Sequence, residues 1–279
     1  EPVKDFAVDT IMGLIREDLK LINIEHKVFT NERVLIEDGT LDKSFKFLED
    51  KDLIYTGTLP PPRGKEMEDW EPVPLTLFRS SNFGDDVDRP LKKRDGSWAY
   101  IMPDIAYHYD KIQRGFNLMI NMLGKDHGGY EQRIGPVVDA FSDGKANLKV
   151  IYNGMVKILK DGVPVKLSKR SGNLITLREM VEEVGADAVR FFMMTRTPDS
   201  ELEFDFTKVI EQSKDNPVFY VQYAHARCCS VMRHAADMFD AANITDEKLA
   251  QVDMSVLGDA ELEVVKVLIN WPRIVEQAA

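Results

Sequence analysis

Residues 147–176 read NLKVIYNGMVKILKDGVPVKLSKRSGNLIT, from Asn147 to Thr176. Apolar residues alternate through Val150 and Tyr152 and again through Val156 and Ile158, up to Asp161-Gly162. Val163 and Val165 return from it, so the pattern predicts a hairpin with a two-residue turn. Lys166-Leu167-Ser168-Lys169-Arg170 follows at once, with Ser171-Gly172 behind it. Three cations in five residues, spaced by small side chains, suit a loop that meets a polyphosphate. Taken alone, such a pentapeptide is equally what a solvated basic loop looks like. Thr176 with Glu179 three residues on is a capping box, so a helix is expected to take the chain away.

Working back from that stretch, residues from Leu75 read as α/β. A strand at Leu75 is followed by an Asp95-Gly96 turn and a second strand over Trp98–Met102. Pro103 is expected to open a helix running to about Arg114, with Asp104 in its first turn. Asn117–Leu123 is a continuous apolar run, the pattern of a strand covered on both faces of a parallel sheet. Gly124-Lys125-Asp126-His127-Gly128-Gly129 leads into a helix over about 130–141 and then the strand at Leu148–Tyr152. Strand, helix, strand, helix, strand implies right-handed crossovers and half of a doubly wound sheet. Ligands of such sheets sit beyond the strands' carboxyl ends, which places Gly124–Gly129 and Tyr100–Asp104 at one edge.

Before this lies a front segment without a catalytic grouping. Val3, Phe6, Ala7, Ile11, Leu14, Ile15 and Ile22 recur at helical spacing. His26–Thr30 looks extended, Leu41–Leu53 reads as a second helix, and Ile54–Thr58 as a short strand ended by Pro60-Pro61-Pro62. Downstream, helices at Leu177–Val184 and Asp187–Thr195 are parted by Gly185, and Thr197–Ser200 is a turn. From about Glu211 the pattern is all-helical, with Val218, Tyr220, Val221, Tyr223, Ala224 and Val231, and the last helical stretch is expected to end near Trp271-Pro272.

Composition narrows the function classes. The chain has 279 residues, 44% hydrophobic and 30% charged, within the range of globular proteins. No apolar run approaches the roughly 20 residues of a membrane span, and no secretory signal is read at its start, so no membrane partner is expected. The two cysteines, Cys228 and Cys229, are adjacent, too close for ordinary disulfide geometry and too few for a structural zinc site. A reducing, cytoplasmic setting follows. The net charge of -11 excludes a global attraction to nucleic acid, so RNA would be met by local basic patches. The chain begins with Glu1 rather than Met, as expected of a piece of something longer.

Six stretches, in order, carry a family resemblance: DRPLKKRDGSWAY, PDIAYHYDKIQRGF, GKDHGGY, VKLSKRSG, ADAVRFFMMTRTPDSELEFD and DNPVFYVQYAHARCCSVMR. They span about residues 75–235 and resemble the class I aminoacyl-tRNA synthetases, most closely the arginyl-tRNA synthetases. Leu167 stands where methionine is commoner in the signature loop. The resemblance implies an α/β catalytic domain over 1–210, with a partial doubly wound, Rossmann-like parallel sheet. Within it, 1–72 would be an insertion, 73–176 the second half of the nucleotide fold with its loop, and 177–210 connecting helices. Residues 211–279 would open an all-α anticodon-binding domain. The implied reaction joins arginine to the α-phosphate of ATP, releasing pyrophosphate, and passes the arginyl group to the 3′ end of tRNA-Arg. ATP, its Mg2+, L-arginine and tRNA-Arg are the implied ligands, and a monomer is expected.

The family's motifs map onto this chain residue by residue. Lys166 and Lys169 match the catalytic cations of the signature loop, since a lysine ammonium is a compact charge on a flexible stem. Ser168 would hydrogen-bond a phosphate oxygen. Gly124, Asp126 and His127 match the ribose and adenylate segment. Glycine permits close backbone approach there, and a carboxylate accepts from sugar hydroxyls. Tyr100 and Asp104, with His127, match the arginine pocket, because a carboxylate takes a guanidinium in bidentate fashion. Asp104 is also what a helix N-terminus favours, and Tyr100 what a packed strand would hold. His108, on the same helix, reads as packing or surface. Tyr220 and Tyr223 would stack on anticodon bases and Arg227 would meet phosphate, unless they belong to a tyrosine-rich core helix.

One departure matters. The class uses an upstream His-x-x-His motif, and the five histidines, at 26, 108, 127, 225 and 234, contain no such pair. The isolated chain is therefore expected to be an inactive fragment. Two other readings stay open: another class I synthetase such as the cysteine enzyme, and a tRNA-binding module without catalysis. Scattered zinc-ligand cysteines would favour the first, and tRNA binding without ATP dependence the second.

Overall fold

The computed structural model describes residues 2–59, 73–165, 175–238 and 245–278. They fall into two compact units, residues 1–218 and 219–279. Among the described residues no helix is long and apolar enough to cross a membrane.

The first unit opens with α1 (Pro2–Leu21), which carries no buried residue, and α2 (Glu32–Glu37), a single turn and a half. Asn31 caps α2 by accepting from the Arg33 amide at 2.9 Å. Nothing in the apolar spacing announces so short a helix, and only the Asn31-Glu32 pair signals its start. Helix α3 (Thr40–Asp50) then packs toward the centre, burying Leu41, Ser44 and Leu48. Strands β1 (Ile54–Gly57), β2 (Leu75–Phe78) and β3 (Arg89–Pro90) form an antiparallel sheet in that order.

The expected strand over Trp98–Met102 is absent. Trp98 makes only an isolated bridge to Lys92 across the Asp95-Gly96 turn, where Gly96 has φ +79°. Helix α4 (Ile101–Gln113) begins instead, and the Met102 amide already donates to the Ala99 carbonyl at 3.0 Å. Proline lacks an N–H, but the first turn of a helix leaves its amides unpaired, so Pro103 sits inside that turn and not before it. The strand–helix–strand count therefore shortens to one crossover. Strands β4 (Leu118–Gly124) and β5 (Asn147–Asn153) pair in parallel through α5 (Tyr130–Ser142).

The apolar run of β4 is covered on one face only. Met119 is 3% exposed, whereas Leu118, Ile120 and Met122 on the opposite face are 55%, 52% and 62% exposed. Helices α4 and α5 cover the Met119 face and build the first core with Leu41, Leu48, Phe78, Ile105, Val137, Phe141 and Leu148.

The hairpin is present: β6 (Val156–Lys160) turns at Asp161 and Gly162, with φ +54° and +75°, into β7 (Val163–Pro164). Two positive φ angles are the mark of the tight turn that matches strand twist, which explains Asp-Gly there. Helices α6 (Leu177–Val184) and α7 (Ala186–Met194) follow. In the capping box, Glu179 accepts from the Thr176 amide at 2.7 Å and Thr176 Oγ1 from the Glu179 amide at 3.2 Å. Strand β8 (Leu202–Asp205), not expected from the alternation, runs parallel to β6 and leads into α8 (Phe206–Val209). Asp205 holds the hairpin tip, accepting from the Gly162 amide at 2.8 Å. The second core lies here, on Ile158, Met180, Val189, Phe204 and Phe206.

A close backbone joint links the two parts of this unit. The Gly154 amide donates to the Pro198 carbonyl at 2.6 Å, within the expected Thr197–Ser200 turn. A Cβ at position 154 would collide with the Ser200 carbonyl, so only glycine fits.

The second unit begins within α9 (Pro217–Ala236) and continues through α10 (Asp246–Leu249) to α11 (Asp259–Ala278). Helix α11 does not stop at Trp271-Pro272 but runs through it. Proline there forfeits one backbone hydrogen bond, a loss the flanking turns of this 20-residue helix tolerate.

Candidate functional site

Three elements converge at the carboxyl edge of the parallel pair: the start of α4, the end of β4 and the start of α5. Tyr100 is the residue before α4, in helical backbone conformation, and at 91% exposed it is a surface phenol rather than a packed strand aromatic. Asp104, in the first turn, is half-buried. Burial pushes its carboxyl above the ordinary range and the Glu32 carboxylate adds to this, against the cations of Arg133, Lys111 and His127. An acid so placed, facing a second carboxylate, gains most when a cation arrives.

Beneath Asp104 lies a polar group that apolar spacing does not reveal. His108 is 1% exposed. Its Nδ1 donates to the Asp104 carbonyl at 2.7 Å, and its Nε2 accepts from Asn121 Nδ2 on β4 at 3.0 Å. Lys111 Nζ donates to Asn121 Oδ1 at 3.2 Å and lies 4.2 Å from the Tyr107 ring centroid. Burial lowers the His108 pKa to about 4, with the Lys111 cation acting in the same sense. Burial likewise lowers Lys111 and raises the Tyr130 phenol, the latter helped by Asp104.

At the strand end, Gly124 is extended and Asp126 and His127 form a short 3-10 turn before Gly129 and α5. Their side chains are exposed, with His127 Nε2 3.9 Å from Asp126 Oδ2. An Asp126 oxygen occupies the space a Cβ at 124 would need, so the glycine lets the carboxylate fold over the strand end. The structure thus brings Tyr100, Asp104, Gly124, Asp126 and His127 to one edge. Lys166, Ser168 and Lys169 lie outside the described residues. Tyr220, Tyr223 and Arg227 are exposed on α9, not packed in a tyrosine-rich core, and the Phe219 and Tyr223 rings stack at 6.3 Å.

The family described as tRNA synthetases class I (K) matches residues 114–242, and the DALR anticodon binding domain matches 221–279. An arginine–tRNA ligase of Rhodospirillum rubrum is 53% identical over 275 residues, 98% of this chain and 46% of that protein. Over nearly its whole length the chain is similar to arginine–tRNA ligases. A Campylobacter jejuni structure assigned as an arginyl-tRNA synthetase superposes with a TM-score of 0.78 at 29% identity, covering 98% of this chain and 55% of the other. The arginyl-tRNA synthetase of Thermus thermophilus shares the fold, with a TM-score of 0.67 at 16% identity and coverage of 94% and 50%. The chain spans about half the length of the curated relatives it matches. The small parallel sheet and the mostly helical carboxyl-terminal part fit this kinship.

Around this edge the structure gathers residues that the periodicity of the sequence does not disclose. Glu32 reaches Asp104 electrostatically from α2, an element that apolar spacing does not announce. Asn121 sits in an apolar run, where an amide midway along a strand is the one available signal. Lys111 and Tyr130 read as ordinary amphipathic positions and acquire meaning only through their neighbours.

Proposed function

We propose that the protein carrying this chain is an arginine–tRNA ligase, acting in the cytoplasm as a monomer. The observation that carries the proposal is the half-buried Asp104 beside Glu32, at a strand edge shared with Gly124–His127, in a chain 53% identical to such a ligase. In this reading Asp104 and Glu32 attract the guanidinium, and Tyr100 and His127 border it. Two carboxylates and a phenol suit a planar fork of donors better than the point charge of lysine.

Gly124 and Asp126 would hold the nucleotide sugar, while Lys166, Ser168 and Lys169 would meet the phosphates. The arginine carboxylate attacks the α-phosphate and the bond to pyrophosphate breaks; the arginyl group then passes to a ribose hydroxyl of tRNA-Arg. Neutralising charge on the phosphates is the main task of the first step. Among the described residues no three His, Cys, Asp or Glu side chains are grouped to hold a metal. Mg2+ in this reading enters with the ATP phosphates. Residues 1–210 would serve activation and 211–279 the anticodon, with Tyr220 and Tyr223 stacking on bases and Arg227 on phosphate.

ATP–pyrophosphate exchange by the full-length protein tests this. Exchange that depends on arginine and not on lysine or cysteine is the expected result. Exchange that follows cysteine, or tRNA binding with no exchange at all, overturns it.

A further inference from the structure

The polar group under Asp104 has a hydrogen-bonding logic that the proposed ligand contacts do not use. Asn121 Oδ1 accepts from Lys111 at 3.2 Å, which turns the amide nitrogen toward His108 Nε2 at 3.0 Å. An amide nitrogen only donates, so Nε2 must be bare. The Asp104 carbonyl, 2.7 Å from Nδ1, only accepts, so Nδ1 must carry the proton. One tautomer of a neutral imidazole satisfies both neighbours. The ring is 1% exposed, so a wrong tautomer or a missing partner would leave buried polar atoms unpaired. These bonds tie the first turn of α4, which presents Asp104, to the strand that ends in Gly124.

We propose that His108 is a positioning residue for arginine: it locks the Asp104 turn of α4 onto β4 through Asn121. The inference rests on the arginine-activation reading and adds a residue that touches no substrate. A hydrogen bond to the main-chain carbonyl of residue 104 acts on the backbone from which the carboxylate projects. Small displacements of a binding group are costly, so a clip at this point belongs to recognition as well as to folding. Neutrality has a second consequence. A charged imidazole one turn below Asp104 would compete with the guanidinium for the same carboxylate.

Two amide substitutions, each matching one ring nitrogen, separate the two bonds. His108→Asn keeps a donor near the Nδ1 position but cannot reach Asn121. His108→Gln reaches toward Asn121 but loses the donor to the Asp104 carbonyl. In the full-length protein each is expected to raise the KM for arginine about three- to tenfold, the effect of one lost hydrogen bond. The KM for ATP should stay within about twofold, a split that general loosening of the fold would not produce. Where neither variant folds, Asn121→Ser removes the clip from the strand side and should show the same split.

A wild-type enzyme active with arginine, with variants whose arginine KM is unchanged or whose ATP KM rises equally, overturns this inference alone. Absence of arginine-dependent exchange in the wild type overturns the functional reading and this inference with it. Nitrogen-15 NMR of the His108 ring in this chain checks the clip independently of activity. A protonated Nδ1 and a bare Nε2 across about pH 5.5–8 support it. The opposite tautomer, or protonation in that range, overturns it.

Discussion

The α4–β4 corner and the outer face of α9 carry polar residues of similar kinds in opposite settings. At the corner, a histidine, a lysine, an aspartate and a tyrosine are buried or half-buried, and burial is the first cause of each displaced ionisation. On α9, Tyr220 and Tyr223 are 60% and 53% exposed, and Arg227 also faces outward. At the corner burial sharpens every charge interaction, which is what the proposed arginine pocket would draw on. On α9 the same residue types stay in water, and in the proposed function burial would come only with the tRNA.

Four measurements test whether the two regions differ in this way. In the full-length protein, Lys169→Ala is expected to slow adenylate formation roughly a hundred- to thousand-fold, about 2.7–4 kcal/mol, as when another preorganised charge donor is removed. Equal single-turnover rates would return the basic loop to the solvated class of α9.

The next effect concerns pH and needs only this chain. His108 has a folded pKa of about 4 against 6.5, so the unfolded chain binds more protons between those values. Stability contributed by the neutral ring is present above pH 6.5 and is lost as pH falls toward 4, by about 3 kcal/mol in all. Urea denaturation at stepped pH reads this directly, and His108→Asn should flatten that limb. An unchanged slope in the variant would place the acid sensitivity elsewhere.

Asp104→Asn should separate function from stability. It removes a charge-assisted acceptor, so the arginine KM is expected to rise roughly ten- to 150-fold, about 1.5–3 kcal/mol, while the ATP KM holds. The folded carboxyl sits above its ordinary pKa, so its charged form destabilises the fold at neutral pH. The variant should therefore melt higher at pH 7 and lose that advantage below pH 4. A lower Tm at pH 7 with unchanged arginine KM would make Asp104 a helix-terminus charge only.

The smallest effects are expected on α9. Tyr220→Ala and Tyr223→Ala should each weaken tRNA binding by about 1 kcal/mol, the low end for a lost stacking partner. Both should leave folding stability within about 0.5 kcal/mol, as exposed positions do. A drop in stability larger than the drop in affinity would show that these rings serve packing.

Local pieces were legible in the residues alone: the Asp161-Gly162 hairpin, the Thr176–Glu179 capping box and the β4–α5–β5 crossover. Each depends on residues close in the chain, where turn angles, cap geometry and apolar spacing act without help. The family motifs likewise placed Tyr100, Asp104 and the Gly124–His127 corner on one edge. Long-range packing settled that Ile101 and Met102 join a helix, that β8 pairs with β6, and that one face of β4 is exposed. Those outcomes depend on partners far along the chain. The same holds for Glu32 beside Asp104 and for His108 between Asp104 and Asn121. Burial sets the protonation of such groups, and burial is a property of what packs around a residue, which its neighbours in sequence do not specify.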